Sequence, residues 1–172
     1  MRTKYLMLGL TFFFLTRAIA QRGEKSLSAG FLLAVSNDMA TYGLTNHNWG
    51  TGIGLNVTGQ SNISDKGALL LQFQVTRFQG TPSYAMVAFR QVVTPVTLKG
   101  GYRYRLTSSG FHANALLGSE YAYKEVYLPI AAGLGKRFLI NGRRFIDAGI
   151  DLSSGFVSRF NIKAVYSLLQ NH

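Results

Sequence analysis

The chain has 172 residues, no cysteine and a formal net charge of +11. That length suits one domain, and the missing thiols exclude disulfides and thiolate metal sites. The 18 basic residues are scattered along the chain rather than gathered in a run or on one helix face, which argues against a nucleic-acid-binding protein.

Arg2 and Lys4 precede an apolar stretch, Leu6 to Thr16, and the small-x-small sequence Ala18-Ile19-Ala20 follows it. This is the grammar of a secretory signal peptide. Eleven residues closed off by Arg17 fall short of the roughly 20 needed for a membrane-spanning helix. Residues 1–20 are therefore expected to be removed, leaving 21–172 as one mature domain. Arg2, Lys4 and Arg17 would leave with them, so the mature chain carries fifteen bases against seven acids, a net +8.

Past Gln21 the apolar residues recur with period two, not with a helical period. Segment 27–35 aligns Leu27, Ala29, Phe31, Leu33 and Val35. Segment 49–58 sets Trp49, Thr51, Ile53, Leu55 and Val57 against glycines, Asn56 and Thr58. Segment 67–78 opposes Leu69, Leu71, Phe73 and Val75 to Leu70, Gln72, Gln74 and Thr76. Segment 84–92 alternates less cleanly, with Ala85, Val87 and Phe89 against Met86, Ala88 and Arg90. From Val96 to Leu106, Tyr102 and Tyr104 share the apolar row while Lys99, Arg103 and Arg105 share the other. Segment 111–124 puts Phe111, Leu117, Tyr121 and Tyr123 opposite His112, Asn114 and Glu120. Segment 128–139 puts Ile130, Leu134 and Phe138 opposite Arg137. Segments 144–152 and 157–168 oppose Ile146, Ile150, Phe160, Ile162 and Tyr166 to Asp147, Asp151, Arg159 and Lys163. Asn141-Gly142 reads as a two-residue hairpin turn. The connections are too short for crossover helices, so neighbouring strands should pair antiparallel.

Two architectures share this pattern. A soluble barrel or sandwich hides its apolar rows inside; a transmembrane barrel turns them to lipid and fills its lumen with polar groups. Three features favour the second. The polar rows collect Arg90, Lys99, Arg103, Arg105, Glu120, Arg137, Asp147, Asp151, Arg159 and Lys163, which inside a narrow lumen would form a charge network. Aromatic residues sit near the ends of the apolar rows: Trp49, Phe89, Tyr102, Tyr104, Phe111, Tyr121, Tyr123, Phe138, Phe160 and Tyr166. There they would make the girdles of a membrane barrel. The apolar rows also hold small residues such as Ala113, Ala132 and Ala148, which suit a lipid face better than a close-packed core.

The expected fold is all-β: an up-and-down antiparallel transmembrane β-barrel. Nine alternating segments do not make the usual even number. Eight strands are preferred, with 27–35 outside the barrel; ten are possible if 38–46 supplies one. Eight strands leave an interior just filled by side chains, with no open pore.

The mature chain resembles the small outer-membrane β-barrel proteins of Gram-negative bacteria, of the OmpA/OmpX type. The likeness runs through "GGYRYRL", "ALLGSEYAY", "YLPIAAGLGKRF" and "FIDAGIDLSSGF". It implies residence in the cell outer membrane, with lipid and the barrel-assembly machinery as partners, and envelope proteins met through the loops. Such barrels often finish on an aromatic residue, whereas this chain runs past Tyr166 and Leu168 to "QNH". "VTLKGGYRYRLTSSG" with "ALLGSEYAYK" also resembles outer-membrane transfer proteins of conjugative transposons.

No catalytic, cofactor or metal site is expected. His47 is expected in a loop, His112 reads as a rim residue in water and His172 is the last residue of the sequence; none accompanies a nucleophile motif. Asp147 and Asp151 are ~13 Å apart along one strand, which suits neutralising lumen arginines better than holding a metal. Asn56 and Asn62 match the glycosylation pattern by chance. The expected role is non-enzymatic: structural, adhesive or accessory, in the envelope. The alternatives are a component of a transfer or secretion apparatus, and a soluble periplasmic lipocalin-like carrier of an apolar ligand.

Overall fold

The computed structural model describes residues 23–36, 40–42, 45–47, 49–80, 83–84, 87–88, 91–141 and 144–171. The expected signal peptide, Phe89 and Arg90 lie outside these residues.

Eight long strands make the wall. They are β1 (Lys25–Ser36), β2 (Thr51–Asn62), β3 (Gly67–Gly80), β4 (Val96–Arg105), β5 (Phe111–Ala122), β6 (Ile130–Asn141), β7 (Arg144–Ser153) and β8 (Arg159–Asn171). Each pairs antiparallel with the next in sequence. β8 pairs with β1 over the whole of that strand, from Lys25↔Asn171 to Ser36↔Arg159. The ring is thereby closed, and no long edge is left with unpaired N–H and C=O groups. Strands of 10 to 14 residues are long enough to span a bilayer when tilted, a job that takes about 9–11 residues.

The eight-strand count holds, but the segment to be left out is a different one. Segment 27–35 belongs to the wall as β1. Segment 84–92 does not make a wall strand, because β4 pairs directly with β3 from Gly67↔Tyr104 to Val75↔Val96 and leaves no ladder for it. Its described residues fall in three short strands, Ser83–Tyr84, Val87–Ala88 and Gln91–Val93. The last of these extends the pairing of β3 at Phe78↔Val93. The others join Ala40–Tyr42 and Thr45–His47 in a separate four-stranded sheet. Segment 38–46 likewise supplies no wall strand.

The two ends of the barrel differ. Connections 63–66, 106–110 and 142–143 are short and lie at the end that carries the described termini. Connections 37–50, 81–95, 123–129 and 154–158 lie at the other, which we call the loop end. Asn141 pairs with Arg144, so it belongs to the ladder and not to the expected Asn141-Gly142 turn, whose Gly142 lies outside the described residues; Ile140 is left as a bulge opposite β7. A second bulge falls at Leu168, since Leu27 pairs with Leu169 and Ser28 with Ser167. The extra residue turns both Leu168 and Leu169 outward and carries the strand on to Asn171.

Period two then sorts the side chains. The outer wall carries Phe31, Leu55, Leu117, Ile130, Leu152 and Leu168, among many other exposed large hydrophobics. Phe31 is 76% exposed and Ile53 67%. The inner wall carries Asn56, Gln72, Gln74, Thr97, Lys99, Glu120 and Asn161, each at 2% exposure or less. Apolar groups enter the lumen in two places. Leu70, Leu116 and Ala131 cluster on the β3–β5–β6 side. Ala34, Trp49, Phe78, Val93, Ala122 and Val157 cluster under the loop end, with Tyr127 and Phe156 packed against them.

Candidate functional site

The lumen holds two layers of charge. In the layer nearer the loops, Arg159 reaches from the first residue of β8 across the barrel to Glu120 on β5, and neither side chain is exposed at all. The other bonds to the Glu120 carboxylate come from the Thr97 hydroxyl, 2.7 Å from Oε2, and from the backbone N–H of Phe156, 2.8 Å from Oε1. Beside this pair, Lys163 Nζ donates to Asp151 Oδ2 at 2.7 Å and Asn161 Nδ2 donates to Asp151 Oδ1 at 2.6 Å. Lys99 lies in the same layer, fully buried, within the electrostatic reach of Asp151, Lys163, Arg159 and Glu120. Three cations thus share two carboxylates.

The second layer lies toward the termini and centres on Asp147 of β7. Arg103 Nη1 donates to Asp147 Oδ2 at 2.5 Å and to Gln60 Oε1 at 2.9 Å, while its Nε donates to Asn114 Oδ1 at 2.8 Å. Arg137 Nη2 donates to the same Gln60 oxygen at 2.7 Å and reaches Asp147 Oδ2 at 3.3 Å. Its guanidinium lies over the Phe145 ring, 3.7 Å from the centroid. His112 is not a rim residue in water: it is 4% exposed, with Nε2 3.3 Å from Asp147 Oδ1 and Nδ1 3.2 Å from the Gly110 carbonyl oxygen. Gly135 makes the room, because a Cβ there would stand 2.5 Å from His112 Nε2. Such bonds run from β4 to β2 and β7, and from β8 to β5, so they tie together walls that the backbone ladder does not join.

Arg105 departs from the rest of the polar row. It sits on the inner side of β4 at its last position, exposed at the mouth, and lines a cavity of about 490 Å³ that opens at the termini end.

The aromatic residues divide by height. Tyr102, Tyr104, Phe111, Phe138 and Tyr166 are exposed on the outer wall toward the termini end. Tyr121 and the half-buried Phe160 lie toward the loop end. Two of the expected girdle residues are elsewhere. Trp49 is only 2% exposed and points into the lumen. Gly50 takes φ of 57°, which breaks the alternation between Trp49 and Thr51 and swings the indole inward. Tyr123 is not on the wall. Ala122 pairs with Glu125, and Tyr123 and Lys124 form the two-residue turn between them with φ of 49° and 65°. Positive φ at both central positions is the type I′ arrangement, here made without glycine. The Tyr123 ring packs on Trp49 and Phe156, at centroid distances of 5.8 and 5.3 Å. Together they cap the lumen beneath the loops.

The period-two rows pointed to most of the lumen but missed its neutral partners and its cap. Gln60, Asn114 and Thr97 carry no charge to flag them, yet each completes an ion pair. Phe78 and Phe145 were visible only as aromatic residues in polar rows. For chemistry the layers offer little. Both His112 nitrogens face oxygen acceptors rather than a hydroxyl. Among the described residues no group of three or more His, Asp or Glu is placed to hold a metal ion. Asn56 is 1% exposed within the lumen, out of reach of a glycosylating enzyme.

No protein-family model matches the chain, and no curated protein sequence matches it. Solved structures do. The attachment invasion locus protein Ail of Yersinia pestis, in complex with the heparin analogue sucrose octasulfate, superposes with a TM-score of 0.55 at 17% identity, over 86% of this chain and 100% of Ail. The outer membrane protein OprG of Pseudomonas aeruginosa superposes with a TM-score of 0.62 at 13% identity, over 86% of this chain and 93% of OprG. At these identities the likeness lies in the backbone, and it agrees with the closed ring of eight. This chain has the all-β fold of the small outer-membrane barrels, an eight-stranded antiparallel barrel of the OmpA/OmpX type.

Proposed function

We propose that the chain is a non-enzymatic protein of the cell outer membrane, held in lipid by its outer wall and closed to passage by its lumen. One observation carries this: burial is inverted. Lys99 and Glu120 are at 0% exposure while Phe31 and Leu128 are at 76% and 74%. Soluble monomers rarely expose continuous apolar surface beyond a few hundred Å². Here such residues ring all eight strands. A soluble carrier of an apolar ligand needs an apolar interior; this one is filled with paired charges and amides, so that alternative loses its site.

Within the envelope the role belongs to the loop end, as a structural, adhesive or accessory part. Connections of 14 and 15 residues, 37–50 and 81–95, rise there and share a small sheet through Thr45↔Tyr84. The name of Ail carries attachment, and its fold likeness supports an adhesive role here without specifying a ligand. Outer-membrane lipid and the barrel-assembly machinery are the partners this reading requires.

The test is membrane fractionation of expressing cells, followed by gel mobility with and without boiling. The protein should sediment with the outer membrane and change mobility on heating. Recovery in the soluble periplasmic fraction without detergent would end the proposal.

A further inference from the structure

The mouth at the termini end is more than an opening. Its cavity, about 490 Å³, falls within the roughly 300–1,000 Å³ range of small-ligand sites. Arg103, Arg105 and Arg137 converge on it from β4 and β6. The carboxylate they share is Asp147, which already accepts from Arg103 and Arg137 and lies against His112. Counting only these four side chains, three guanidiniums against one carboxylate leave +2 at the inner end of the cavity. Arg137 feels the like charges of both Arg103 and Arg105. Arg105 itself makes no ion pair among the described residues, the five bridges there being made by other side chains. Glu24 and Asp65 stand at the rim with Lys66, and Asn62 donates to Glu24 at 3.1 Å. The positive charge is therefore concentrated inward, where low-dielectric walls focus its field. Ser108 and Ser109 of the β4–β5 turn add hydroxyls to the lining.

We propose that this mouth binds a small phosphate-bearing solute, with Arg105 and Arg137 as the ligating guanidiniums and the Ser108–Ser109 turn as a hydroxyl donor set. A phosphate dianion matches the local +2, and guanidinium forks fit its oxygens two at a time. Arg103, already bonded to Asp147, Asn114 and Gln60, stands behind as a fixed charge and does not ligate. Lys136 also lines the cavity, but its ammonium is engaged over the Phe111 and Phe138 rings, 4.7 and 5.1 Å from their centroids, and it takes no ligating role.

The test uses the mature protein in neutral maltoside micelles, titrated calorimetrically with sodium pyrophosphate at constant ionic strength. Saturable one-to-one binding is expected. Arg105→Gln should weaken it at least about tenfold, the loss of one charged hydrogen-bond set, while heat-modifiable mobility persists because Arg105 holds no lumen bridge. Lys124→Gln, at the opposite end, should leave it unchanged. Should Arg105→Gln fail to fold, a Ser108→Ala/Ser109→Ala chain carries the same test, with a loss of about threefold expected. Heats that never saturate, or an Arg105→Gln chain that binds like the parent, overturn the proposal. Repeating the titration in nanodiscs of phosphatidylcholine, with and without phosphatidylglycerol, separates the sources. Unchanged affinity supports a solute; loss in the anionic discs gives the mouth to lipid headgroups and overturns the solute assignment.

Discussion

Replacing Glu120 with Gln tests the loop-side charge layer with the least change in shape. Glu120 accepts from the Arg159 guanidinium, the Thr97 hydroxyl and the Phe156 N–H. The amide keeps an oxygen for one or two of these and removes the charge. Counting Lys99, Arg159 and Lys163 against Glu120 and Asp151, the layer goes from +1 to +2 with no water-exposed side chain among its strongest pair. Removing one partner of a buried ion pair costs about 3–5 kcal/mol, because the other charge stays behind uncompensated. Urea unfolding of the refolded barrel in lipid vesicles measures it, read by Trp49, the single tryptophan of the chain. That indole packs 5.5 Å from Phe156, whose N–H Glu120 holds, so the probe sits beside the perturbation. A Glu120→Gln/Arg159→Met double variant should recover most of the loss, since it removes both charges. A Glu120→Gln barrel within about 1 kcal/mol of the parent would refute the claim that this pair is desolvated.

Three further outcomes follow from other parts of the barrel. Leu55→Arg places a charge on the middle of the outer wall, opposite Phe31 and Val75, and should cost about 2–4 kcal/mol in vesicle refolding if lipid covers that face; near-neutrality would point to water there. Trp49→Ala should lose about 3–5 kcal/mol yet show no steady current in planar bilayers, because the ionic layers below still fill the lumen. Lys124→Gly should stabilise the hairpin by about 1 kcal/mol, seen as a higher urea midpoint, by removing a side chain from the φ of 65°.

The alternation from 96 to 168 was legible because each strand has one face in each medium, and period two needs no long-range information. Strand membership was harder. Segments 27–35 and 84–92 both alternate, but only pairing shows that β8 needs a partner and that β3 already has two. Trp49 and Tyr123 escaped for a local reason. Each lies one residue from a backbone position with φ above zero or at one, and parity counted along the sequence fails across such a point. The neutral members of the ion-pair layers escaped because an amide on a polar face looks the same whether it meets water or a guanidinium. His112 looked like a surface residue for the same reason, until Gly135 across the ladder gave its ring a place inside.

The seam between β1 and β8 has a bearing on biogenesis. β8 must meet β1, far earlier in the sequence, and until it does the sheet stays open with two sticky borders. A message truncated before codon 159 would make a polypeptide able to curl but never to seal, and such a product should aggregate or be degraded rather than insert. The thirteen residues of β8 thus decide whether the wall can seal: a sheet without them keeps two borders whose N–H and C=O groups lipid cannot satisfy.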